Sequence, residues 1–327
     1  MKNFANVNAR SVEEAIRHLR EARQEGRAVS AASGGSDLLG MIKDDLVQPD
    51  VLVNLKPIVG LRSVTPHADG QVVGGLISLS RLATHSQILA GYKVLAEAAG
   101  SVGTPQIRNT GTLAGNICQR PWCWYLRAGF PCFKNGGDMC FSWIGENQFN
   151  AIFGGGPSYI VHPSDTAPAL VALDARFRIS GPAGERVVPA SEFFVLPETE
   201  VSRENVLDND ELLTAVELPA SPEGTTSRYA KVLDREAWTH AIVSVAIVLR
   251  MQDGMCRGAR IVLGGVAPIP WRLPEVETML RGQVLSEEIA TEAGRLAVAG
   301  AQPLSKNAYK VPMTQNLVRR TLLELAG

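Results

Sequence analysis

Four of the chain's five cysteines lie within one short segment, and this clustering limits the structures that the segment can form. The four are Cys118, Cys123, Cys132 and Cys140, and a glycine-rich run at 110–116 comes directly before them. Their C-x4-C-x8-C-x7-C spacing differs from the paired C-x2-C pattern of common zinc fingers. Thiolates suit zinc or an iron-sulfur cluster by softness, and the loose spacing in a loop favours the cluster. Unrelated buried thiols are the remaining alternative.

The composition narrows the class of protein. With 327 residues, of which 45% are apolar and 20% charged, the chain predicts a globular protein of about two domains. Its 32 basic and 33 acidic residues nearly balance, so no nucleic-acid-binding face is expected. No window approaches the roughly 20 apolar residues of a membrane span. The polar N-terminus lacks the apolar stretch of a signal peptide, which predicts a cytoplasmic protein, the alternative being export as part of a folded complex through a partner's signal.

Hydrophobic patterns divide the chain into two regions. In the first, Ser11-Val-Glu-Glu14 has the form of a capping box, and strand-like runs at 27–33 and 51–55 flank a glycine turn and a short helix, which predicts a small parallel sheet. Residues 101–165 are rich in Gly and Pro and lack a clear period, which is typical of a functional segment. Beyond Pro222, three strand-like runs followed by three helical patterns predict a small α+β domain.

Two glycine-rich segments are suited to binding an anion. In Ala32-Ser-Gly-Gly-Ser-Asp37, small residues before a helix let backbone N–H groups converge on a phosphate, although a tight turn is the simpler alternative. The run at 107–116 offers hydroxyls and an amide beside two glycines, or is only a capped turn. Asp165 precedes a predicted helix, either as its N-cap or as an acceptor for a ribose hydroxyl. Lys231 alone predicts an ordinary solvated strand lysine.

Together, these glycine segments, the cysteines and the run His162-Pro-Ser-Asp165 resemble the FAD-binding medium subunit of the molybdenum hydroxylases, the family of xanthine dehydrogenase and carbon monoxide dehydrogenase. The chain most resembles the flavoprotein subunit of periplasmic-type aldehyde oxidoreductases, which carry an extra 4Fe-4S cluster. The resemblance implies an α+β fold with a two-lobed FAD-binding domain of the vanillyl-alcohol-oxidase-like (PCMH-type) kind and a small C-terminal domain of three strands and three helices. The implied boundaries are 1–220 for the FAD domain, with lobes at about 1–60 and 61–220 and a cysteine loop at 117–145, and 224–327 for the C-terminal domain.

The resemblance also implies the residues that bind FAD. The first glycine segment would wrap the pyrophosphate, the second would contact the flavin, Asp165 would lie near the cofactor, and Lys231 would lie near the isoalloxazine ring. The predicted residues are Ala32, Ser33, Gly34, Gly35, Ser36, Asp37, Leu38, Arg108, Asn109, Thr110, Thr112, Gly115, Asn116, Asp165 and Lys231.

Three predicted ligands of the 4Fe-4S cluster, Cys123, Cys132 and Cys140, match cysteines of the cluster-bearing relatives. The fourth cysteine of those relatives often lies shortly before the His-Pro-Ser-Asp run, where this chain has Pro157-Ser-Tyr159. Cys118 is therefore the predicted fourth ligand.

The function implied is electron transfer, with no substrate acid or base in this chain. A large partner subunit with a molybdenum cofactor would oxidise an aldehyde or heterocycle. A small 2Fe-2S subunit would relay electrons to the FAD, and an external acceptor would take them. Two alternatives are a zinc-stapled interaction subunit without flavin and a free-standing flavin oxidoreductase with its own substrate pocket.

Overall fold

A computed structural model describes residues 2–68, 70–235 and 239–326. Helices α1 to α13 span Val12–Gln24, Leu38–Lys43, Leu79–Thr84, Ser86–Gly91, Lys93–Gly100, Pro105–Thr110, Leu113–Ile117, Trp124–Arg127, Thr166–Ala172, Ala190–Phe193, Pro274–Leu280, Glu287–Leu296 and Lys310–Ala326. Strands β1 to β12 span Ala5–Asn8, Val29–Ala32, Val51–Asn54, Val64–His67, Gly70–Gly74, Arg176–Gly181, Gly184–Pro189, Leu212–Leu218, Thr225–Val232, Val243–Gln252, Met255–Gly264 and Trp271–Arg272. Short 3₁₀ turns span Val59–Arg62, Phe133–Asn135 and Phe141–Trp143.

The N-terminal lobe is built on a parallel sheet of order β1-β3-β2, as the sequence predicts. Ser11 caps α1, because its Oγ accepts a hydrogen bond from the Glu14 N–H at 3.1 Å. The Glu14 carboxylate in turn accepts from the Arg10 N–H at 2.7 Å, one residue before the cap. The buried face of α1 consists of Ala15, Ile16, Leu19 and Ala22. These apolar residues recur at helical spacing and pack into one cluster with the apolar residues of β3.

The second lobe is an antiparallel sheet of order β4-β5-β8-β6-β7. Its core includes Phe177 and Phe193, both fully buried, whose rings meet edge to face with centroids 4.8 Å apart. Helix α9 shares this core, and all of its residues are buried. A helix that is apolar on every side needs covering on every side. This burial places the start of α9, and with it Asp165, in the interior.

The C-terminal region is an antiparallel sheet of order β12-β11-β10-β9 with helices α11 to α13. Strand β10 alternates between two cores: Val245 and Ile247 pack with the three helices, whereas Ala246 packs with the core that contains α9. The predicted α+β class is therefore confirmed, as are three long strands and three helices in this region. The two-residue strand β12 adds an edge to the sheet that the sequence did not predict.

A buried lysine joins the C-terminal helix to the segment that follows the cysteine loop. Lys310 is fully buried, and its ammonium donates to the carbonyl oxygens of Phe149 (2.8 Å), Asn150 (3.1 Å) and Gly265 (2.8 Å). Burial lowers the pKa of Lys310 to about 7. The Asn307 side chain also donates to the Asn150 carbonyl oxygen, at 3.1 Å. The backbone at 149–150 is thus fixed by hydrogen bonds from the far end of the chain.

Candidate functional site

A cavity of about 890 Å³ opens where the two glycine segments face each other. This volume lies within the range of about 300–1,000 Å³ that is usual for small-molecule and cofactor sites. Residues 31–38 form one wall, and another wall consists of Gly111 and Thr112, between α6 and α7, with Gly115 and Asn116 of α7. The segments come from separate lobes, so the fold brings together two motifs that lie far apart in sequence.

The two walls touch through backbone at Gly34. A Cβ at this position would lie 2.2 Å from the Thr110 carbonyl oxygen and 2.9 Å from the Gly111 Cα, closer than real Cβ atoms come. The Ser33 and Thr112 hydroxyls lie 2.8 Å apart beside this contact. Only a residue without a side chain allows the segments to approach so closely, which explains the glycine at position 34.

Asn116 connects the second glycine segment to the segment that enters α9. Its Oδ1 accepts hydrogen bonds from the Ser164 and Thr166 hydroxyls, each at 2.6 Å. Both hydroxyls are buried, as is Asn116. This network fixes residues 162–165, which also line the cavity, and it was not predicted from the sequence.

Asp165 lies in a buried ion pair between the two domains. Its Oδ2 is 2.7 Å from Lys231 Nζ, and its Oδ1 accepts from the Tyr229 hydroxyl at 2.7 Å. The side chains of Asp165 and Lys231 are only 5% and 4% exposed. The Lys231 ammonium also donates to the carbonyl oxygens of Ser101 and Thr239. Burial, and then the charge of Asp165, raise the pKa of Tyr229 well above its usual value.

The cysteine loop supplies another wall of the cavity, which the sequence did not reveal. Trp122, Cys123, Trp124 and Arg127 all line it. The Arg127 guanidinium lies over the Trp122 ring, 4.3 Å from its centroid. The Trp122 ring also lies beside that of His240, with centroids 5.2 Å apart. These rings close one side of the cavity against the C-terminal domain.

Two histidines, His162 and His240, also line the cavity. Burial lowers the pKa of His162 to about 3, and it also lowers the pKa of His240. The His162 Nδ1 accepts a hydrogen bond from the Ser164 N–H at 3.3 Å. His162 stands in the run that carried the resemblance, but His240 has no sequence signal beyond its residue type.

Most of the predicted FAD-binding residues line this cavity. Those that do are Ala32, Ser33, Gly34, Gly35, Ser36, Asp37, Leu38, Thr112, Gly115, Asn116 and Asp165. Arg108, Asn109, Thr110 and Lys231 are outside the lining as far as the described chain shows it. Arg108 donates to the Val102 carbonyl oxygen at 2.8 Å, and Lys231 is held behind Asp165. Cofactor contacts of all fifteen residues stay predictions.

The Cys123 thiol lies within electrostatic reach of Cys132 and Cys140. Burial raises the pKa of Cys123, and the charges of Cys140 and Cys132 raise it further. Cys118 packs instead against the core of the second lobe, and burial alone raises its pKa to about 12. Within residues 2–68, 70–235 and 239–326, no three His, Cys, Asp or Glu side chains are arranged to hold a metal ion. The donor set therefore fits a cluster only in part.

The lining has polar atoms that suit a bound cofactor. Gln148 Oε1 and Arg120 Nε are buried, and both lack a hydrogen-bond partner within the described chain. Buried polar atoms are nearly always hydrogen-bonded in native proteins, so each such atom calls for a partner. With the close approach at Gly34, these atoms make the cavity suitable for an extended polar ligand such as FAD.

Comparison with known families defines the class of protein. Residues 2–221 match the family described as FAD binding domain in molybdopterin dehydrogenase, and residues 228–325 match the CO dehydrogenase flavoprotein C-terminal domain. The chain therefore belongs to the family of FAD-binding medium subunits of the molybdenum hydroxylases, which are flavoprotein components of oxidoreductases. The resemblance read from the motifs is confirmed at the level of the family.

Individual relatives agree with this family along nearly the whole chain. The aldehyde oxidoreductase FAD-binding subunit PaoB of Escherichia coli (strain K12) is 31% identical over 297 residues, which cover 89% of this chain and 90% of the relative. The carbon monoxide dehydrogenase medium chain of Hydrogenophaga pseudoflava is 28% identical over 304 residues, covering 91% and 90%. A solved carbon monoxide dehydrogenase structure from Hydrogenophaga pseudoflava contains a chain that superposes with a TM-score of 0.78 at 26% identity, covering 99% of this chain and 97% of that one.

One membrane-related finding accompanies these matches. In the part of the chain that the structure describes, no helix combines the length and the apolar character that crossing a bilayer requires.

Proposed function

We propose that this chain is the FAD-binding electron-transfer subunit of a complex that oxidises an aldehyde or a heterocycle at a molybdenum cofactor. A large subunit would carry that cofactor, and a small subunit with 2Fe-2S clusters would deliver the electrons to this chain. The observation that carries the proposal is the cavity in which both glycine segments meet. The similarity to an aldehyde oxidoreductase FAD-binding subunit supports the same assignment.

The chain's own residues would hold and orient the cofactor. Bound FAD would supply reversible electron transfer to an external acceptor. Backbone N–H groups of the turn at 33–36 would bind the pyrophosphate, as small residues in such turns do. Asp165, fixed by Lys231 and Tyr229, would accept a hydrogen bond without moving. Trp122 and the buried His162 would exclude water from the cavity.

We propose the domain division at residues 220–224, with the ion pair of Asp165 and Lys231 spanning it. This pair joins the second lobe, at the start of α9, to β9 of the C-terminal sheet. Residues of both domains line the flavin cavity, so the cavity forms only when both domains are folded together.

For the cysteine loop we propose a 4Fe-4S cluster held by Cys123, Cys132 and Cys140. Their place in one loop supports the set, and the softness of thiolates suits iron. Cys118 was the predicted fourth ligand, but it packs against the core of the second lobe. Ser158 is a second candidate for that position, because it is buried and adjacent to Tyr159, whose N–H donates to the Cys140 sulfur at 3.5 Å.

Two other functions compete with this proposal. In a zinc-stapled interaction subunit, the thiols would bind zinc and the cavity would bind no flavin. In a free-standing flavin oxidoreductase, the cavity would hold both the cofactor and a substrate. Activity of the isolated chain without partner subunits would favour the free-standing flavin oxidoreductase.

Anaerobic purification of the chain, with its visible spectrum and counts of flavin, iron, sulfide and zinc, separates these functions. We expect a coloured protein with flavin, iron and sulfide, because the cavity suits FAD and the loop carries soft ligands. A colourless protein with stoichiometric zinc would contradict the proposal and support the interaction subunit.

Cysteine variants in the same assay test the ligand set. We expect Cys123→Ala to lose iron and sulfide, because it removes one of the three proposed thiolate ligands. Cys118→Ala is the comparison variant and is expected to retain both, since Cys118 packs against the core of the second lobe and burial alone raises its pKa. Full iron in the Cys123 variant, or loss of iron in the Cys118 variant, would contradict this assignment.

A further inference from the structure

An ion pair links the cysteine loop to the first glycine segment. Arg127 Nη2 lies 2.9 Å from Asp37 Oδ1, and the two side chains are only 11% and 18% exposed. Asp37 is the last residue of the turn that is suited to a phosphate, and both residues line the cavity. The pair joins segments that lie 90 positions apart in sequence.

The guanidinium of Arg127 is fixed before any ligand arrives. Its Nε donates to the Pro121 carbonyl oxygen at 2.9 Å, and its Nη2 donates to the Arg120 carbonyl oxygen at 3.0 Å. Its face lies against the Trp122 ring. A planar, permanently charged guanidinium with these contacts has little conformational freedom to lose when a ligand binds. Arg127 is therefore a preorganised cation beside the glycine turn.

The negative charge of Asp37 opposes the binding of phosphate, and the Arg127 cation compensates this charge. A carboxylate at the end of a phosphate-binding turn repels a ligand that carries two phosphate charges, and the repulsion is strong where water is partly excluded. The adjacent guanidinium cancels that charge. The backbone N–H groups of 33–36 are then free to attract the phosphates without an opposing anion.

We propose that Arg127 is a nucleotide-binding determinant supplied by the cysteine loop, which neutralises Asp37 so that the first glycine segment accepts the phosphates of the cofactor. The inference rests on the proposed FAD site and adds to it a contribution from the cysteine loop. It does not depend on which metal, if any, the cysteines bind. Arg127 acts through Asp37 and is thus a positioning residue.

A double-mutant cycle on the flavin-free chain tests the inference, with FAD and ADP as ligands. We expect Arg127→Gln to weaken both by about tenfold, because it leaves the Asp37 charge uncompensated. Asp37→Asn breaks the same ion pair but removes the anion, so its loss of affinity for both ligands should be several-fold smaller than that of Arg127→Gln. The double variant should recover most of the affinity that Arg127→Gln alone loses, because the uncompensated anion is removed as well.

The matched control is Arg186→Gln, which breaks an arginine–carboxylate pair with Glu211, and neither residue belongs to the cavity lining. It should leave both affinities unchanged, and circular dichroism and thermal unfolding should show that every variant is folded. Equal losses in Asp37→Asn and Arg127→Gln, with no recovery in the double variant, would make the pair a structural tie and overturn the inference. The inference would also be overturned if Arg127→Gln lost affinity for FAD but not for ADP, or lost affinity for neither ligand. Failure of the wild type to bind either ligand would instead reject the proposed function.

Discussion

Replacing Gly34 by alanine is expected to weaken FAD binding by roughly a hundredfold, a cost of about 3 kcal/mol from overpacking. The added Cβ would lie 2.2 Å from the Thr110 carbonyl oxygen and 2.9 Å from the Gly111 Cα. Both neighbours are backbone, so the strain is relieved only if the two glycine segments separate. Their separation opens the cavity that they enclose. Equilibrium titration with FAD measures the loss.

Gly40→Ala is the matched control for this substitution. Gly40 lies in the neighbouring helix α2, and an added Cβ would meet no atom within 4 Å. Alanine is also the better helix former, so this variant should be as stable as the wild type or slightly more stable. An unchanged FAD affinity in Gly34→Ala would show that the contact between the segments does not shape the cofactor site.

Replacing Lys231 by methionine is expected to destabilise the chain by about 3–5 kcal/mol, because it leaves the charge of Asp165 buried without its cation. The pair measures 2.7 Å, and both side chains are almost fully buried. The Tyr229 hydroxyl would still donate to Asp165. The loss of folding stability should therefore be large but not complete. Urea denaturation gives the free energy of unfolding.

Two further variants make this result specific. The double variant Asp165→Asn with Lys231→Met should regain part of the lost stability, because no buried charge remains. Arg295→Met breaks an exposed pair with Glu292 and should change stability little. If Lys231→Met unfolded at the same urea concentration as Arg295→Met, the pair would not hold the two domains together.

Local signals in the sequence predicted much of the fold. The capping residue Ser11, the apolar period of α1 and the strand-like runs around the first glycine turn depend on neighbours a few positions away. The parallel sheet followed from their order along the chain. The edge strand β12 was not predicted, because a two-residue strand is too short to show an alternation of apolar and polar residues.

The site was only partly predictable for a related reason. Small residues marked both glycine segments as possible anion sites, since that property belongs to the residues themselves. Partners across long separations leave no such mark. The pairing of Asp37 with Arg127 and that of Asn116 with Ser164 and Thr166 depend on the complete fold. The cysteine spacing likewise gave no sign that Cys118 packs against the core of the second lobe.

The central claim is that this chain binds one FAD in the cavity between the glycine segments. Its most direct test is a fluorescence titration of the flavin-free, folded chain with FAD, repeated in the presence of ADP. The predicted result is saturation at one FAD per chain, with ADP competing because the first glycine segment binds the shared pyrophosphate. A folded chain that shows no saturable binding of FAD would contradict the claim.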